Sequence, residues 1–205
     1  MTLYKRREKF TKISTKTGKV FSRIPLSPNQ WTVISLVPAI LGLISAYYGN
    51  ILAAAVLFGL TAFVDIIDGA VARAKGKVTI LGAYIDTIVD RYVEFIVIVS
   101  LLFLDLPDVF LPSYAWVLIL LFGSMLSTYA KSASAEKNIL KKDGHGVKGG
   151  ILEHPDRLIL LFLIFLLSVL VPKTYVTYLL ILIVILTNIS ALQRIYGSIK
   201  IETNV

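Results

Sequence analysis

The chain has 205 residues, of which 56% are hydrophobic and 17% charged, with a mean hydropathy of +0.77 and a formal net charge of +8. This composition excludes an ordinary soluble domain and indicates a polytopic membrane protein. The absence of cysteine excludes disulfides, a thiol nucleophile and a zinc–cysteine site, and two histidines leave little for a histidine-based metal centre. Most of the positive charge lies in segments that flank apolar stretches, so we expect no nucleic-acid partner.

The N-terminal segment, residues 1–25, is strongly basic. It contains eight Lys or Arg residues, interleaved with apolar residues at a loosely helical spacing. This pattern predicts a juxtamembrane helix that lies on an anionic leaflet, and a disordered basic tail is the alternative. No apolar span begins before Gln30, so the sequence predicts no cleavable signal peptide.

Six apolar stretches follow, and each approaches the roughly 20 residues that a helix needs to cross a bilayer. They occupy residues 30–48, 51–73, 80–104, 113–135, 155–171 and 174–195. Gly49-Asn50 predicts a tight turn between the first two. We therefore expect an all-α, six-transmembrane-helix integral membrane protein with an N-terminal basic juxtamembrane helix. Residues 1–25 would form the juxtamembrane segment, and residues 26–200 a single membrane domain.

Basic residues determine the predicted orientation of these spans. They crowd the N-terminus, the loops after the second and fourth spans, and the C-terminus, whereas the three opposite loops contain only Lys173. The positive-inside rule places the basic side in the cytoplasm. The sequence therefore predicts a protein of the cell membrane with both termini in the cytoplasm.

Four carboxylates lie at the facing ends of the second and third spans. Asp65 and Asp68 are three residues apart, and Asp86 and Asp90 are four apart, so each pair shares one face of a helix. The short loop between the two spans lets them pack antiparallel in the cytoplasmic half of the membrane. An ionisable residue at that depth indicates a functional site. Facing pairs of carboxylates offer hard oxygen ligands, which suit magnesium, manganese or calcium.

The same stretch resembles a family signature. Residues 65–90 contain the pattern D-x2-D-G-x2-A-R-x8-G-x3-D-x3-D with all eight fixed positions present, and on that ground the chain is identified as a member of the CDP-alcohol phosphotransferases. The resemblance implies transfer of a CDP-linked group to an alcohol, release of CMP, and a homodimer with a cytoplasmic active site. It implies two Mg²⁺ ions per site, with Mn²⁺ possible. Asp65 and Asp86 would serve both ions, Asp68 one, and Asp90 the other while acting as the general base.

The resemblance further implies five contacts to the nucleotide. They are Asn29, Thr32, Gly69, Arg73 and Thr79. Arg73 would offer a bidentate fork to phosphate oxygens, Gly69 would allow close approach, and the Thr79 hydroxyl would face the CDP group. Residues 28–32 resemble the family's P-N-x-x-T segment. Taken alone, this segment is also an ordinary helix start with a proline in its first turn.

Three cations are candidates for an acceptor phosphate site: Lys131 in the fourth span, Arg157 at the start of the fifth and Arg194 at the end of the sixth. A single cation near a helix end usually snorkels to the interface, but three on the cytoplasmic side favour a bound phosphate. The surrounding sequences resemble phosphatidylinositol-phosphate and archaetidylinositol-phosphate synthases, in which cations at these places bind inositol 1-phosphate. Residues 153–157 read E-H-P-D-R, where the family usually has E-R-P-E-R.

The sequence therefore predicts transfer of a diacylglycerol or archaeol phosphate group from a CDP-lipid in the membrane to inositol 1-phosphate. One alternative is a di-inositol-phosphate synthase that uses CDP-inositol, and another is a glycerophosphate-using phosphatidylglycerophosphate synthase. A divalent-cation transporter is the non-enzymatic alternative, although it gives no role to Arg73 beside the acids. A basic membrane anchor would leave the four acids unexplained.

Overall fold

The computed structural model describes Gly18, residues 20–139 and residues 150–203. These residues are mainly helical and contain no β-strand, which confirms the predicted all-α class. The helices that begin after residue 27 are α1 (Pro28–Ile34), α2 (Leu36–Tyr47), α3 (Ile51–Ala74), α4 (Ile80–Ser100), α5 (Ser113–Glu136), α6 (His154–Leu170) and α7 (Lys173–Thr203). A 3₁₀ turn, Leu101–Phe103, follows α4. Most of the predicted juxtamembrane helix lies outside the described residues.

Among the described residues, four helical segments are long and apolar enough to cross a membrane. They are Pro28–Tyr47, Ile51–Ala74, Ser113–Glu136 and Lys173–Glu202. This result supports an integral membrane protein. Two other predicted spans are not long or apolar enough to be included. Helix α4 carries four charged residues from Asp86 to Glu94, and α6 has only 17 residues. The count of six spans therefore stays a prediction.

Helix boundaries differ from the predicted ones where hydropathy and hydrogen bonding diverge. The first span is divided at Ser35, whose hydroxyl donates to the Thr32 carbonyl at 2.6 Å. The last helix continues to Thr203, eight residues beyond the predicted end. Hydropathy marks where the apolar stretch ends, but a helix continues for as long as its residues tolerate helical geometry. The Gly49-Asn50 turn is confirmed, with Gly49 at φ +76° and the Asn50 side chain capping α3 through the Ala53 N–H at 3.2 Å.

Contacts divide the chain into two compact units, residues 1–97 and residues 98–205. In the first unit, α2 packs along α3. Ala39, Gly42 and Ala46 recur at helical spacing on α2 and are buried. A Cβ atom on Gly42 would lie only 2.5 Å from the ring of Phe58, so the ring fills the space that the glycine leaves. Small residues let helix backbones approach closely, which is the usual basis of helix packing in membranes.

In the second unit, α7 packs against both α5 and α6. The buried positions on α5 and α7 include many small or hydroxylated residues: Gly123, Ser124, Ser127, Thr187, Ser190 and Ala191. Asn188 lies against Gly123, and its side-chain amide donates to the Val184 carbonyl at 2.9 Å. The α5–α7 pair is therefore held by close packing of small side chains as well as by apolar burial.

Candidate active site

Helix α1 begins with a capping box. The Ser27 hydroxyl accepts a hydrogen bond from the Gln30 N–H at 3.3 Å, and the Gln30 side chain accepts one from the Ser27 N–H at 2.7 Å. Pro28 occupies the first helical position, where its missing N–H costs nothing. The capping interpretation of residues 28–32 is thus confirmed, and the box fixes Asn29 and Thr32 on the first turns of α1.

The loop between α3 and α4 reverses the chain through two local signals. Gly76, at φ +62°, closes a Schellman motif in which the Gly76 N–H bonds the Arg73 carbonyl at 3.3 Å and the Lys77 N–H bonds the Ala72 carbonyl at 2.9 Å. Two residues later, the Thr79 hydroxyl accepts the Gly82 N–H at 3.0 Å and so caps α4. The loop therefore presents the end of α3 and the start of α4 to one space.

A cleft of about 450 Å³ lies at this place within the first unit. All five predicted nucleotide contacts line it, together with Asp68 and Asp86. The five are Asn29, Thr32, Gly69, Arg73 and Thr79. The N-terminal turn of α4 also lines the cleft, and such turns favour anions because their backbone N–H groups carry partial positive charge.

Carboxylates cluster at the cleft. One oxygen from each of Asp65, Asp68 and Asp86 lies within 4.8 Å of the other two. Asp90 lies one turn beyond Asp86 on α4, and its carboxyl group lies against that of Asp65. The structure therefore brings together all four acids of the predicted metal site within the first unit.

Asp68 provides a direct test of whether these residues fit a cation. Its side chain is only 5% exposed, and the Thr32 hydroxyl contacts the carboxylate. Its Oδ2 atom is buried without a hydrogen-bond partner in the described part of the chain. A buried oxygen without a donor is costly, and neighbouring carboxylates repel one another in a medium of low dielectric. A divalent cation relieves both costs, so the donor set fits Mg²⁺ or Mn²⁺.

Two glycines of the sequence pattern allow close approach of polar side chains. A Cβ atom on Gly69 would lie 3.3 Å from Nη1 of Arg73, so the guanidinium lies directly over the glycine. A Cβ atom on Gly82 would lie 3.0 Å from the Thr79 hydroxyl and 3.2 Å from Oδ1 of Asn29. The absence of a side chain at Gly82 therefore leaves room for Thr79 and Asn29, two of the predicted nucleotide contacts.

Sequence reasoning missed three residues that also line the cleft: Lys77, Val78 and Ala83. Lys77 lies in the basic loop after the second predicted span, whose charge predicts only the orientation of the chain. Its place between the two halves of the sequence pattern was the available signal, since a short loop joining two site-bearing helices has to lie close to the site.

The predicted acceptor cations all lie in the second unit. Arg157, in the first turn of α6, is 1% exposed, and Arg194 on α7 is 9% exposed. Arg194 donates from Nη1 to the Ser127 carbonyl at 2.9 Å, one turn before Lys131 on α5. Lys131 itself is exposed. The hydrogen bond thus brings Arg194 to the part of α5 that carries Lys131.

Comparison with known proteins identifies the fold and the family. The chain is similar to crystal structures of Mycobacterium tuberculosis phosphatidylinositol phosphate synthase. For the structure with CDP-DAG bound, the TM-score is 0.76 at 24% identity, covering 91% of this chain and 94% of that one. For the structure in complex with manganese and citrate, the TM-score is 0.75 at 23% identity, covering 90% and 88%. These likenesses show that the chain shares the fold of that protein.

Sequence comparison is more specific. The family model for CDP-alcohol phosphatidyltransferases matches residues 26–192. The chain is 29% identical to the archaetidylinositol phosphate synthase of Pyrococcus horikoshii, over 78% of this chain and 80% of the relative. It is 30% identical to the phosphatidylinositol phosphate synthase of Mycolicibacterium smegmatis, over 77% and 69%. The chain therefore belongs to the CDP-alcohol phosphatidyltransferase family and is a transferase of phospholipid biosynthesis. This membership confirms the resemblance and excludes the transporter and anchor alternatives.

Proposed function

We propose that this enzyme transfers a phosphatidyl-type group, diacylglycerol or archaeol phosphate, from a CDP-lipid to a hydroxyl group of inositol 1-phosphate and releases CMP. The observation that carries the proposal is the cleft in which Asp68 and Asp86 face Arg73, Asn29 and Thr79. A ligand for this cleft has to present anionic groups to Arg73 and bind divalent cations held by the aspartates. A nucleoside diphosphate does both.

On the donor side, the proposed binding groups are those at the ends of α1, α3 and α4. Arg73 offers a planar fork of N–H donors to the diphosphate oxygens, and Gly69 leaves room for that fork. Asn29, Thr32 and Thr79 provide neutral hydrogen-bonding groups around the same cleft. These side chains would orient the diphosphate so that the phosphorus attached to the lipid faces the acceptor.

Asp65, Asp68, Asp86 and Asp90 would hold two Mg²⁺ ions, or Mn²⁺ in their place. Bound there, the ions would neutralise the diphosphate and stabilise the charge that develops on CMP. Asp90 is the proposed general base, and would accept the proton of the attacking hydroxyl group. The acceptor oxygen forms a bond to the lipid-bearing phosphorus while the bond from that phosphorus to the oxygen of CMP breaks.

The acceptor phosphate is proposed to bind Lys131, Arg157 and Arg194 in the second unit. Support comes from the hydrogen bond that brings Arg194 to the turn before Lys131 and from the near-complete burial of Arg157. A guanidinium presents several N–H donors in a planar fork, which suits a phosphate as an additional ligand. The known activities of the two similar synthases also favour a phosphorylated inositol as acceptor.

The finer features of membrane arrangement are proposals as well. We place six spans in the cell membrane, with both termini and the cleft on the cytoplasmic side, because Lys77 of the basic loop between α3 and α4 lines the cleft. We also propose a homodimer. Cysteine accessibility at positions introduced in the loops, and mass analysis of the purified enzyme in detergent, test these two proposals separately.

A substrate panel tests the function. Purified enzyme would be supplied with CDP-diacylglycerol or CDP-archaeol, Mg²⁺, and one of three acceptors: inositol 1-phosphate, free inositol or glycerol 3-phosphate. We expect CMP release and a new phospholipid with inositol 1-phosphate only. Equal turnover with free inositol would overturn the phosphate-binding role of the three cations, and preference for glycerol 3-phosphate would overturn the assigned acceptor.

A further inference from the structure

We infer that Lys75 is a positioning residue for the donor side of the cleft. Its ammonium group fastens the chain entering α1 to the end of α3, and so sets where Asn29 and Thr32 lie relative to Arg73. This inference rests on the proposed function for the identity of the donor, but not for the contacts themselves.

The contacts of Lys75 span a long distance in sequence. Lys75 is the C-cap residue of α3, where its N–H bonds the Val71 carbonyl. Its Nζ atom donates to the Leu26 carbonyl at 2.7 Å and to the Ile24 carbonyl at 3.2 Å. Both carbonyls belong to the segment that directly precedes the Ser27 cap. One ammonium group therefore joins the end of one site-bearing helix to the beginning of another.

The segment that leads into α1 is poor in backbone donors. Pro25 and Pro28 lack an N–H, so two backbone donors are missing within four residues. The bond to the Leu26 carbonyl is partly buried, and the bond to the Ile24 carbonyl is exposed. A hydrogen bond from a charged donor is stronger than one from a neutral donor. Lys75 donates to the carbonyls of two residues in this segment, Ile24 and Leu26.

A few residues earlier, Phe21 and Gly18 contact α1 and α3. The ring of Phe21 packs edge-on against Trp31 of α1 at 5.7 Å and against Phe63 of α3 at 6.2 Å. Gly18 lies so close to the backbone of Ala70, two residues after Asp68, that a Cβ atom would not fit. The chain before α1 thus contacts both helices through Phe21 and Gly18 independently of Lys75. Lys75 then holds the residues just before the Ser27 cap, Ile24 and Leu26.

The consequence for the site follows from the sequence positions involved. Lys75 is two residues after Arg73, and Leu26 is three residues before Asn29. Loss of the ammonium group would free the start of α1 to shift while leaving Arg73 on α3 unchanged. The expected effect is weaker binding of the nucleotide, without a direct effect on the acceptor cations, because these belong to other helices.

The test compares Lys75→Met with Lys137→Met. Lys137 is also a C-cap lysine, of α5, and within residues 20–139 and 150–203 its ammonium group pairs with the exposed Glu136 alone, at 3.3 Å. For Lys75→Met we expect the KM for CDP-diacylglycerol and the Kd for CMP to rise about five- to tenfold, an effect within the range of one charge-assisted hydrogen bond. The KM for inositol 1-phosphate should stay within about twofold. Lys137→Met should match the wild type, and Lys75→Arg should recover most of the CMP affinity, because a guanidinium can donate to both carbonyls.

Phe21→Leu provides a second approach if Lys75→Met folds poorly. It loosens the same segment without removing a charge, and it should raise the Kd for CMP while leaving the acceptor KM unchanged. Donor KM and CMP affinity equal to those of Lys137→Met, in whichever of the two variants is folded, would overturn the inference. A wild type that binds CMP but transfers no lipid phosphate would instead contradict the proposed function, since CMP binding measures the positioning role alone.

Discussion

Replacing Gly82 with alanine should weaken donor binding without lowering the stability of the fold. The new methyl group would lie 3.0 Å from the Thr79 hydroxyl and 3.2 Å from Oδ1 of Asn29, so both groups would have to move by a few tenths of an ångström. Each neutral hydrogen bond is worth about 0.5–1.5 kcal/mol. Weakening two of them predicts roughly a tenfold rise in the KM for CDP-diacylglycerol, since about 1.4 kcal/mol corresponds to a factor of ten.

The same substitution should have little effect on thermal stability. Gly82 lies in the first turn of α4, where alanine is favoured over glycine by up to about 1 kcal/mol, which offsets the strain on the Thr79 cap. Measuring CMP release against donor concentration, alongside the detergent-solubilised Tm, gives both quantities.

Gly49→Ala is the matched control. Gly49 has φ +76° and no atom within 4 Å of a built Cβ, so alanine should cost about 1–2 kcal/mol in backbone strain and lower the Tm without changing the donor KM. The reasoning about Gly82 would be refuted if Gly82→Ala left the donor KM unchanged, or if its KM rose only in proportion to a fall in Tm.

Three further substitutions test individual roles. Asp90→Asn should abolish transfer while leaving CMP affinity within about twofold, because an amide cannot accept the proton, and substantial turnover would end its assignment as the general base. Asp68→Asn should raise the Mg²⁺ concentration for half-maximal activity at least tenfold, since it removes a charged ligand, and an unchanged Mg²⁺ titration would exclude Asp68 as a ligand. Lys131→Ala should raise the KM for inositol 1-phosphate through loss of a charge-assisted bond worth about 1.5–3 kcal/mol. An unaltered acceptor KM in that variant would remove Lys131 from the phosphate site, and its exposure makes it a cleaner probe than the buried Arg157.

The grouping of the acids could be predicted because it depends on short-range geometry. Asp65 with Asp68, and Asp86 with Asp90, share helix faces by spacing alone, and a five-residue loop leaves few ways to join the two helices. The cleft-lining positions of Asn29 and Thr32 needed the family resemblance. Nothing in residues 28–32 alone distinguishes a helix cap from a ligand. The structure contains the cap and places Asn29 and Thr32 at the cleft, and their role as ligands stays a prediction.

Other features depend on contacts between residues far apart in sequence. The bonds from Lys75 to the carbonyls of residues 24 and 26 cross about fifty positions, and no local pattern predicts a backbone acceptor. The close approach of Gly82 to Asn29 has the same origin. Helix ends are also less predictable, because α7 continues eight residues past the predicted end, through Gly197, in a stretch that contains no proline.

Metal dependence of CMP release is the most direct test of the central claim, which is that the aspartate cluster exists to hold divalent cations against a diphosphate. Purified enzyme would be treated with a chelator, supplied with CDP-diacylglycerol and inositol 1-phosphate, and titrated with Mg²⁺ or Mn²⁺. We predict that CMP release falls to background in the chelator and returns with either ion. Undiminished CMP release without any divalent ion would contradict the account.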